Sequence, residues 1–131
     1  MTLPHDLMIR CVHARARAAE ETDWKEIAGL YDALAARVPS PVVELNRAVA
    51  HGMAFGPGKG LLMADALAGN PALQSYHLLP AVRGDLLEKL ERFEEAGEEF
   101  ERAASRTRNE RERSVLLARS SRARSRARRS P

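Results

Sequence analysis

Apolar residues recur at three- and four-residue steps along most of the chain, which is the spacing of one face of an α-helix. A clear run begins at Trp24 and continues through Ile27 and Tyr31 before Pro39 ends it. No stretch of four to eight residues alternates in strand fashion with β-branched residues. The pattern therefore predicts an all-α fold of about seven helices, with short loops between antiparallel neighbours.

The predicted helices begin at residues with capping chemistry. The first is expected from Asp6 to about Ala19. Later helices open after Asp23, Ser40 and Asn109, because each offers a side-chain oxygen to a free backbone N–H at a helix start. Glycine and proline interrupt the pattern between helices, which predicts turns there. The fifth and sixth helices are expected at about 76–91 and 93–106.

One segment predicts two antiparallel helices in close contact, and its sequence is GDLLEKLERFEEAGEEFERA, residues 84–103. Small or aromatic residues fall where the two helices touch: Gly84, Leu87, Leu90, Phe93, Ala96, Phe100 and Ala103. A shift of 36 residues toward the N-terminus places Ala48 under Gly84 and Gly60 under Ala96.

This spacing resembles the tetratricopeptide repeat, whose period lies in the mid-thirties. The resemblance implies a short right-handed α-solenoid of tetratricopeptide-like antiparallel helix pairs. A second register starts at Trp24, where Ile27, Ala28 and Tyr31 match the opening positions of the repeat. The two registers exclude each other, and the sequence leaves the choice open.

The charge of the chain is divided unevenly. The formal net charge is +3, but residues 114–131 hold six arginines and no acid, which leaves 15 basic against 18 acidic residues elsewhere. We therefore expect a helical domain at 1–113 and, at 114–131, a helix end with an arginine-rich, partly disordered tail. The tail can contact DNA, RNA or an acidic protein non-specifically. The alternative is a solvated, frayed end.

No group of residues predicts catalysis, a cofactor or a metal, so we expect a protein that is not an enzyme. Cys11 is the single cysteine, which excludes an internal disulfide. The loop GPGKG at 56–60 lacks the preceding strand and following Ser or Thr of a phosphate-binding loop. A long apolar run and a secretory signal are both absent from the sequence, which favours a cytoplasmic protein without a membrane partner. Metal-ligand spacing is absent among the histidines, His5, His13, His51 and His77.

A longer set of segments gives a more specific resemblance. These are HARARAAEETDWKEIAGLYDAL, PSPVVELNRAVAHGMAFGPGKGLLMADAL, YHLLPAVRGDLLEKL and FERAASRTRNERER, which follow one another at close spacing. Together they resemble the C-terminal tetratricopeptide-like extension of bacterial extracytoplasmic-function RNA polymerase sigma factors, over about Met1 to Leu117. The most specific parts of the resemblance are residues 40–48 and 76–81, because helix packing alone does not demand the residue types found there.

The resemblance implies an accessory, regulatory protein-interaction domain that acts in transcription initiation. The family places two DNA- and polymerase-binding regions ahead of this extension, and their absence here implies a fragment. Expected partners are sigma regions, RNA polymerase or a regulator, with DNA contacted only indirectly or through the tail. The alternative is a stand-alone tetratricopeptide adaptor that binds a peptide or helix. The predicted groove residues are Asn46, Arg47, Arg83 and Asp85, although Asn46 and Arg47 also fit plain solvent-facing positions.

Overall fold

A computed structural model describes residues 23–129 of the chain. The described residues form six α-helices and one short 3-10 turn, and they contain no strand. The all-α prediction is therefore confirmed, while the helix expected at Asp6–Ala19 lies outside the described residues. The elements are α1 (Trp24–Arg37), α2 (Pro41–Phe55), α3 (Pro57–Leu67), the 3-10 turn (Pro71–Leu73), α4 (Leu78–Lys89), α5 (Phe93–Arg106) and α6 (Glu110–Arg129).

Side-chain caps begin three of the helices at the positions that the sequence predicts. The Asp23 carboxylate accepts from the Glu26 amide at 3.0 Å, and the Ser40 hydroxyl accepts from the Val43 amide at 3.4 Å. Asn109 opens α6 in the same way. Between α2 and α3 the chain turns at a single residue, Gly56, whose φ of 108° favours glycine. These local signals fix where the helices start and how tightly they are connected.

The contact between α4 and α5 depends on one glycine. A Cβ atom added to Gly84 would lie 2.8 Å from the ring of Phe100, which is closer than real carbon atoms approach. Phe100, Ala96 and Ala103 are fully buried along this contact. The prediction that Gly84 lies at the contact of this helix pair is therefore confirmed, since a larger residue at position 84 would displace the Phe100 ring.

The preceding pair, α2 and α3, has the same kind of contact. A Cβ atom on Gly60 would lie 2.8 Å from the Gly52 Cα atom and 2.9 Å from the Ala48 carbonyl oxygen. Ala48 is fully buried. The shift of 36 residues thus relates two observed helix contacts. The two backbones meet directly here because Ala64 occupies the position that corresponds to Phe100.

Alternate helices lie side by side in the same direction. Early residues of α2 and α4 meet, since Leu45 and Leu79 belong to one buried cluster. Late residues meet as well, since the Lys89 Nζ lies 3.8 Å from the Met53 sulfur. The same holds for α4 and α6. There His77 pairs with Glu112 near both N-termini, and Asp85 pairs with Arg119 further along. Every one of these contacts joins residues 34 to 36 positions apart.

The core is built mainly from alanine and leucine around one large ring. The main cluster joins residues from α2 through α6 and contains the buried Phe100, while Ala28 and Tyr31 join α1 to Ala50 of α2. In the described part of the chain, every helix falls short of the length or the apolarity that crossing a membrane requires.

The arginine-rich end differs from the expectation. The sequence predicts partial disorder from residue 114, but α6 is one continuous helix to Arg129, so the boundary at 113 falls inside it. Ser120 and Ala123 are buried against α5, and the Ser120 hydroxyl donates to the Gly97 carbonyl at 2.7 Å. The small residues of α6 face the core, while its arginines extend past them toward solvent. The arginine-rich composition of this segment therefore gave no sign of its packing face.

Candidate partner-binding groove

A groove runs along α4 between its parallel neighbours α2 and α6. Its central cleft has a volume of about 300 Å³ and draws residues from all three helices. The same cleft shares residues with a second one toward the N-terminus of α6 and a third one toward its C-terminal half. We call this continuous surface the α4 groove and define it by Val49, Met53, Leu78, Ala81, Asp85 and Arg119.

The floor of the groove is apolar toward the start of α4 and charged toward its end. Asp85 lies in the charged half, where its carboxylate pairs with Lys89 at 3.0 Å and with Arg119 at 3.1 Å. Arg119 also pairs with Glu88 at 3.1 Å, and its guanidinium lies 4.3 Å from the centre of the Phe100 ring. Such a surface can bind a segment that has an apolar side and charged flanks.

The second cleft, of about 420 Å³, opens between the N-terminal halves of α4 and α6. Leu78, Ala81 and Val115 line it, and 53% of Val115 is exposed. At its end, the His77 Nε2 lies 3.0 Å from a carboxylate oxygen of Glu112, and this contact ties the two helix starts together. The cleft therefore has a fixed polar end beside an exposed apolar wall.

The structure does not bring the four predicted groove residues together. Asp85 alone lines the α4 groove. Arg83 lines a separate cleft and pairs with Asp65 at 2.9 Å and Glu99 at 3.0 Å. The physical reason is helical geometry, since residues two positions apart on an α-helix point to nearly opposite sides.

Arg47 and Asn46 lie on α2, again in different surroundings. Arg47 points toward α1, where its guanidinium bonds to the Asp32 carboxylate at 2.5 Å. Asn46 is buried, with 3% of its surface exposed, and neither polar atom of its amide has a hydrogen-bond partner among residues 23–129. Helical spacing places Asn46 on the face of α2 that carries Val49 and Met53, one turn beyond the apolar end of the groove.

The pair of Asp32 with Arg47 has an electrostatic consequence. The hydrogen bond from Arg47 is the largest cause that holds the pKa of the Asp32 carboxyl below its ordinary value of 3.8, and His51 Nε2 at 2.8 Å adds to it. The same bond raises the pKa of Arg47. These groups join α1 to α2 and face away from the groove, so their role is to hold two helices together.

Sequence reasoning missed most of the apolar lining of the groove, including Val49, Met53 and Ala81. A usable signal was present, because Val49 and Asp85, like Met53 and Lys89, are 36 residues apart, and all four line the central cleft. Applying the repeat period to the first helix of each pair would have found them. Among the described residues, no cluster of histidine, cysteine and acidic side chains is arranged to hold a metal ion.

Comparison with known proteins shows a similarity to a longer protein. The chain is 46% identical over 95 residues to an uncharacterized protein of Rhizobium meliloti (strain 1021). The aligned part is 72% of this chain but 22% of that protein, so the chain spans about a fifth of the relative's length. No family model matches the chain. No solved structure matches it either.

Proposed function

We propose that this chain is a regulatory protein-interaction domain of an extracytoplasmic-function sigma factor, and that a protein partner binds in the α4 groove. The observation that carries this proposal is the regular stacking of α2, α4 and α6, with contacts between residues 34 to 36 apart. Such stacking supports a short right-handed tetratricopeptide-like solenoid, because parallel helices at this period leave an extended surface for partners.

The two most specific segments of the sigma-factor resemblance meet in one buried cluster of the fold. Leu45 belongs to the first segment and Leu79 to the second, and the two side chains pack together with Leu73 in one buried cluster. Packing therefore accounts for part of each segment, contrary to the sequence-based expectation. The remaining residues of these segments include Asn46, whose buried amide has no hydrogen-bond partner among residues 23–129.

A binding experiment with purified components tests this function. The tagged chain is mixed with the sigma regions and the RNA polymerase subunits of the source organism, and retained proteins are scored. We expect one of them to bind wild type and the variant Leu62→Arg, because 69% of Leu62 is exposed on α3 outside the groove. Binding is expected to fall in Ala81→Arg, since the new side chain fills the floor of the groove.

A second function, that of a stand-alone adaptor, is favoured by the groove itself. Its apolar floor and charged end suit a peptide or helix from any partner, whether or not that partner takes part in transcription. The same experiment separates the two. If sigma regions and polymerase are not retained while an unrelated protein binds in a manner sensitive to Ala81→Arg, the adaptor function replaces the regulatory one.

A further inference from the structure

Helix α6 presents arginines on two sides, and the two sides differ in their partners. The helix holds eight arginines and two glutamates. On the side that packs against the body, Arg119 pairs with Asp85 and Glu88, and Arg124 pairs with Glu101 at 2.7 Å. The acidic residues of α4 and α5 therefore balance the inward arginines.

The other side carries a regular row of residues separated by four, three, four, three and four positions. This alternation keeps the row on one side of the helix, over a length of about 27 Å. Five of its six residues are exposed, and Ser125 is half-buried. We call this row the outer stripe, and its members are Arg111, Val115, Ala118, Arg122, Ser125 and Arg129.

The arginines of the outer stripe have no acidic partner in residues 23–129. Neither Arg111 nor Arg122 makes an ion pair or a side-chain hydrogen bond there, and Arg129 bonds only to the Ser125 carbonyl at 3.4 Å. Because three cations at this spacing face solvent next to the apolar cleft of Leu78 and Val115, the outer stripe offers positive charge and apolar surface together.

We propose that the outer stripe docks an acidic amphipathic helix of a partner protein. The apolar side of that helix packs on Val115, Ala118 and the neighbouring cleft, and its carboxylates pair with Arg111, Arg122 and Arg129. This inference rests on the proposed function and adds the chemistry of the partner to it.

The opposite side of α6 shows how such a contact is built. There α6 packs on α5, an acidic helix, and the small residues Ser120 and Gly97 allow a close approach while Arg124 reaches Glu101. The outer stripe repeats this composition, with Ala118 and Ser125 between its arginines. A partner helix can therefore approach closely and still pair its carboxylates.

The apolar surface beside the outer stripe favours a protein helix over nucleic acid as the occupant. Carboxylates and phosphates carry the same sign of charge, so the arginines of the stripe attract both. Val115 and the adjoining cleft, however, give an apolar surface that a phosphate backbone cannot cover.

The test uses the full chain and a synthetic helical peptide of about 18 residues, which matches the length of the stripe. The peptide carries leucines at three- and four-residue steps and glutamates on both flanks. Three competitors are measured at about 0.15 M salt: the same peptide with lysine for glutamate, a scrambled peptide of equal composition, and a random DNA duplex. We expect the acidic amphipathic peptide to bind most tightly, and fluorescence anisotropy reports its affinity.

Two matched variants locate the binding surface. The stripe variant carries Arg111→Glu, Arg122→Glu and Arg129→Glu, and we expect it to lose at least about tenfold in affinity for the peptide. The control variant makes the same change at three exposed arginines outside the stripe, which are Arg37, Arg108 and Arg128. Its affinity for the peptide should stay within about twofold of wild type. Thermal unfolding of both variants verifies that they are folded.

Four results would overturn the proposal. Equal binding by the stripe variant would show that another surface is used, and equal binding of the scrambled peptide would show that charge alone suffices. A tighter complex with DNA would make nucleic acid the occupant. Self-association that the stripe variant abolishes, seen by sedimentation, would make a second copy of the chain the occupant. If the peptide binds as expected while no sigma region or polymerase subunit is retained, the docking chemistry stands and the proposed function fails.

Discussion

At the scale of single residues, Gly84 has the clearest effect on packing, because the absence of a side chain there lets α4 and α5 approach closely. The Phe100 ring occupies the space where a Cβ would stand, and Arg119 lies over the same ring at 4.3 Å, so the ring has little freedom to move. This glycine lowers the helix propensity of α4 but allows α4 and α5 to approach. Its value to the protein therefore comes from packing and not from backbone flexibility.

Replacing Gly84 with alanine is expected to destabilise the protein by about 1–3 kcal/mol, because the new methyl group overpacks the Phe100 contact. The matched change is Gly29→Ala on α1, where no atom of residues 23–129 outside the local helix lies within 4 Å of the added atom. That variant should gain roughly 0.5–1 kcal/mol from higher helix propensity. Urea unfolding of both proteins measures the difference, and two shifts of the same sign would contradict the packing argument.

The Asp32 carboxylate gives a prediction about pH. Its pKa in the folded protein lies below the ordinary 3.8, so the unfolded chain binds more protons in acid. The stabilisation is therefore fully present above pH 3.8 and is lost as the pH falls through the lowered value. Wild type should exceed Asp32→Asn in stability at neutral pH by less than about 1 kcal/mol, because the pair is largely exposed.

The control for this titration is Arg47→Met, which removes the largest cause of the lowered pKa. In that background, Asp32→Asn should change the free energy of unfolding less, and the pH dependence of the difference should shrink. Thermal unfolding between neutral pH and acid measures both effects. An unchanged pH dependence would assign the effect to His51 instead.

At the scale of helices, local chemistry predicts starts and turns better than it predicts ends. The caps at Asp23, Ser40 and Asn109 were readable because each satisfies backbone N–H groups within its own sequence neighbourhood. Helix α4 begins at Leu78 instead of Tyr76, since the chain first makes a 3-10 turn and the Tyr76 amide bonds to Leu73.

The groove was harder to predict than the helices for a physical reason. Which side of a helix faces a partner depends on how neighbouring helices stack, and the sequence left two registers open. Arg83 and Asp85 were placed in one groove because both are polar and close in sequence, yet residues two positions apart point to nearly opposite sides of α4. Long-range packing, which only the structure supplies, decides which of these two sides forms the groove.

The C-terminal half of α6 supports a prediction at the same scale. Deleting residues 121–131 removes three contacts with α5. Ala123 is buried, and the Arg124 side chain lies so close to Gly97 that a Cβ atom added there would be 2.6 Å from it. The Arg126 guanidinium lies 4.6 Å from the centre of the Phe93 ring. We expect the melting temperature to fall, since the surface of α5 under this segment is then exposed.

The matched deletion removes residues 128–131 alone and leaves those three contacts in place. It should change the melting temperature little, because the deleted side chains of the described part, Arg128 and Arg129, are exposed. If both deletions leave the melting temperature unchanged, the end of α6 contributes no stability, and the sequence-based alternative of a solvated, frayed end would hold.

At the scale of the whole molecule, charge is separated between an acidic body and a basic final helix. Part of that separation is neutralised internally, as the pairs of Arg119 and Arg124 show. In residues 23–129, the arginines of α6 without an acidic partner include those of the outer stripe, Arg111, Arg122 and Arg129. Any attraction to DNA is therefore expected to come from this one helix, and to depend on phosphates and not on base sequence.

Neutralising Arg122, Arg128 and Arg129 with glutamine tests this without cutting the chain inside α6. Gel shifts with promoter DNA and random DNA should show equal, weak binding by wild type, which falls steeply as salt rises because counterions are released. In the variant, the slope of log affinity against log salt should shrink by about 0.9 for each phosphate that an arginine no longer neutralises. If the variant still discriminates promoter from random DNA at physiological salt, another part of the chain reads DNA sequence. The proposal that the chain regulates through protein contacts alone would then be wrong.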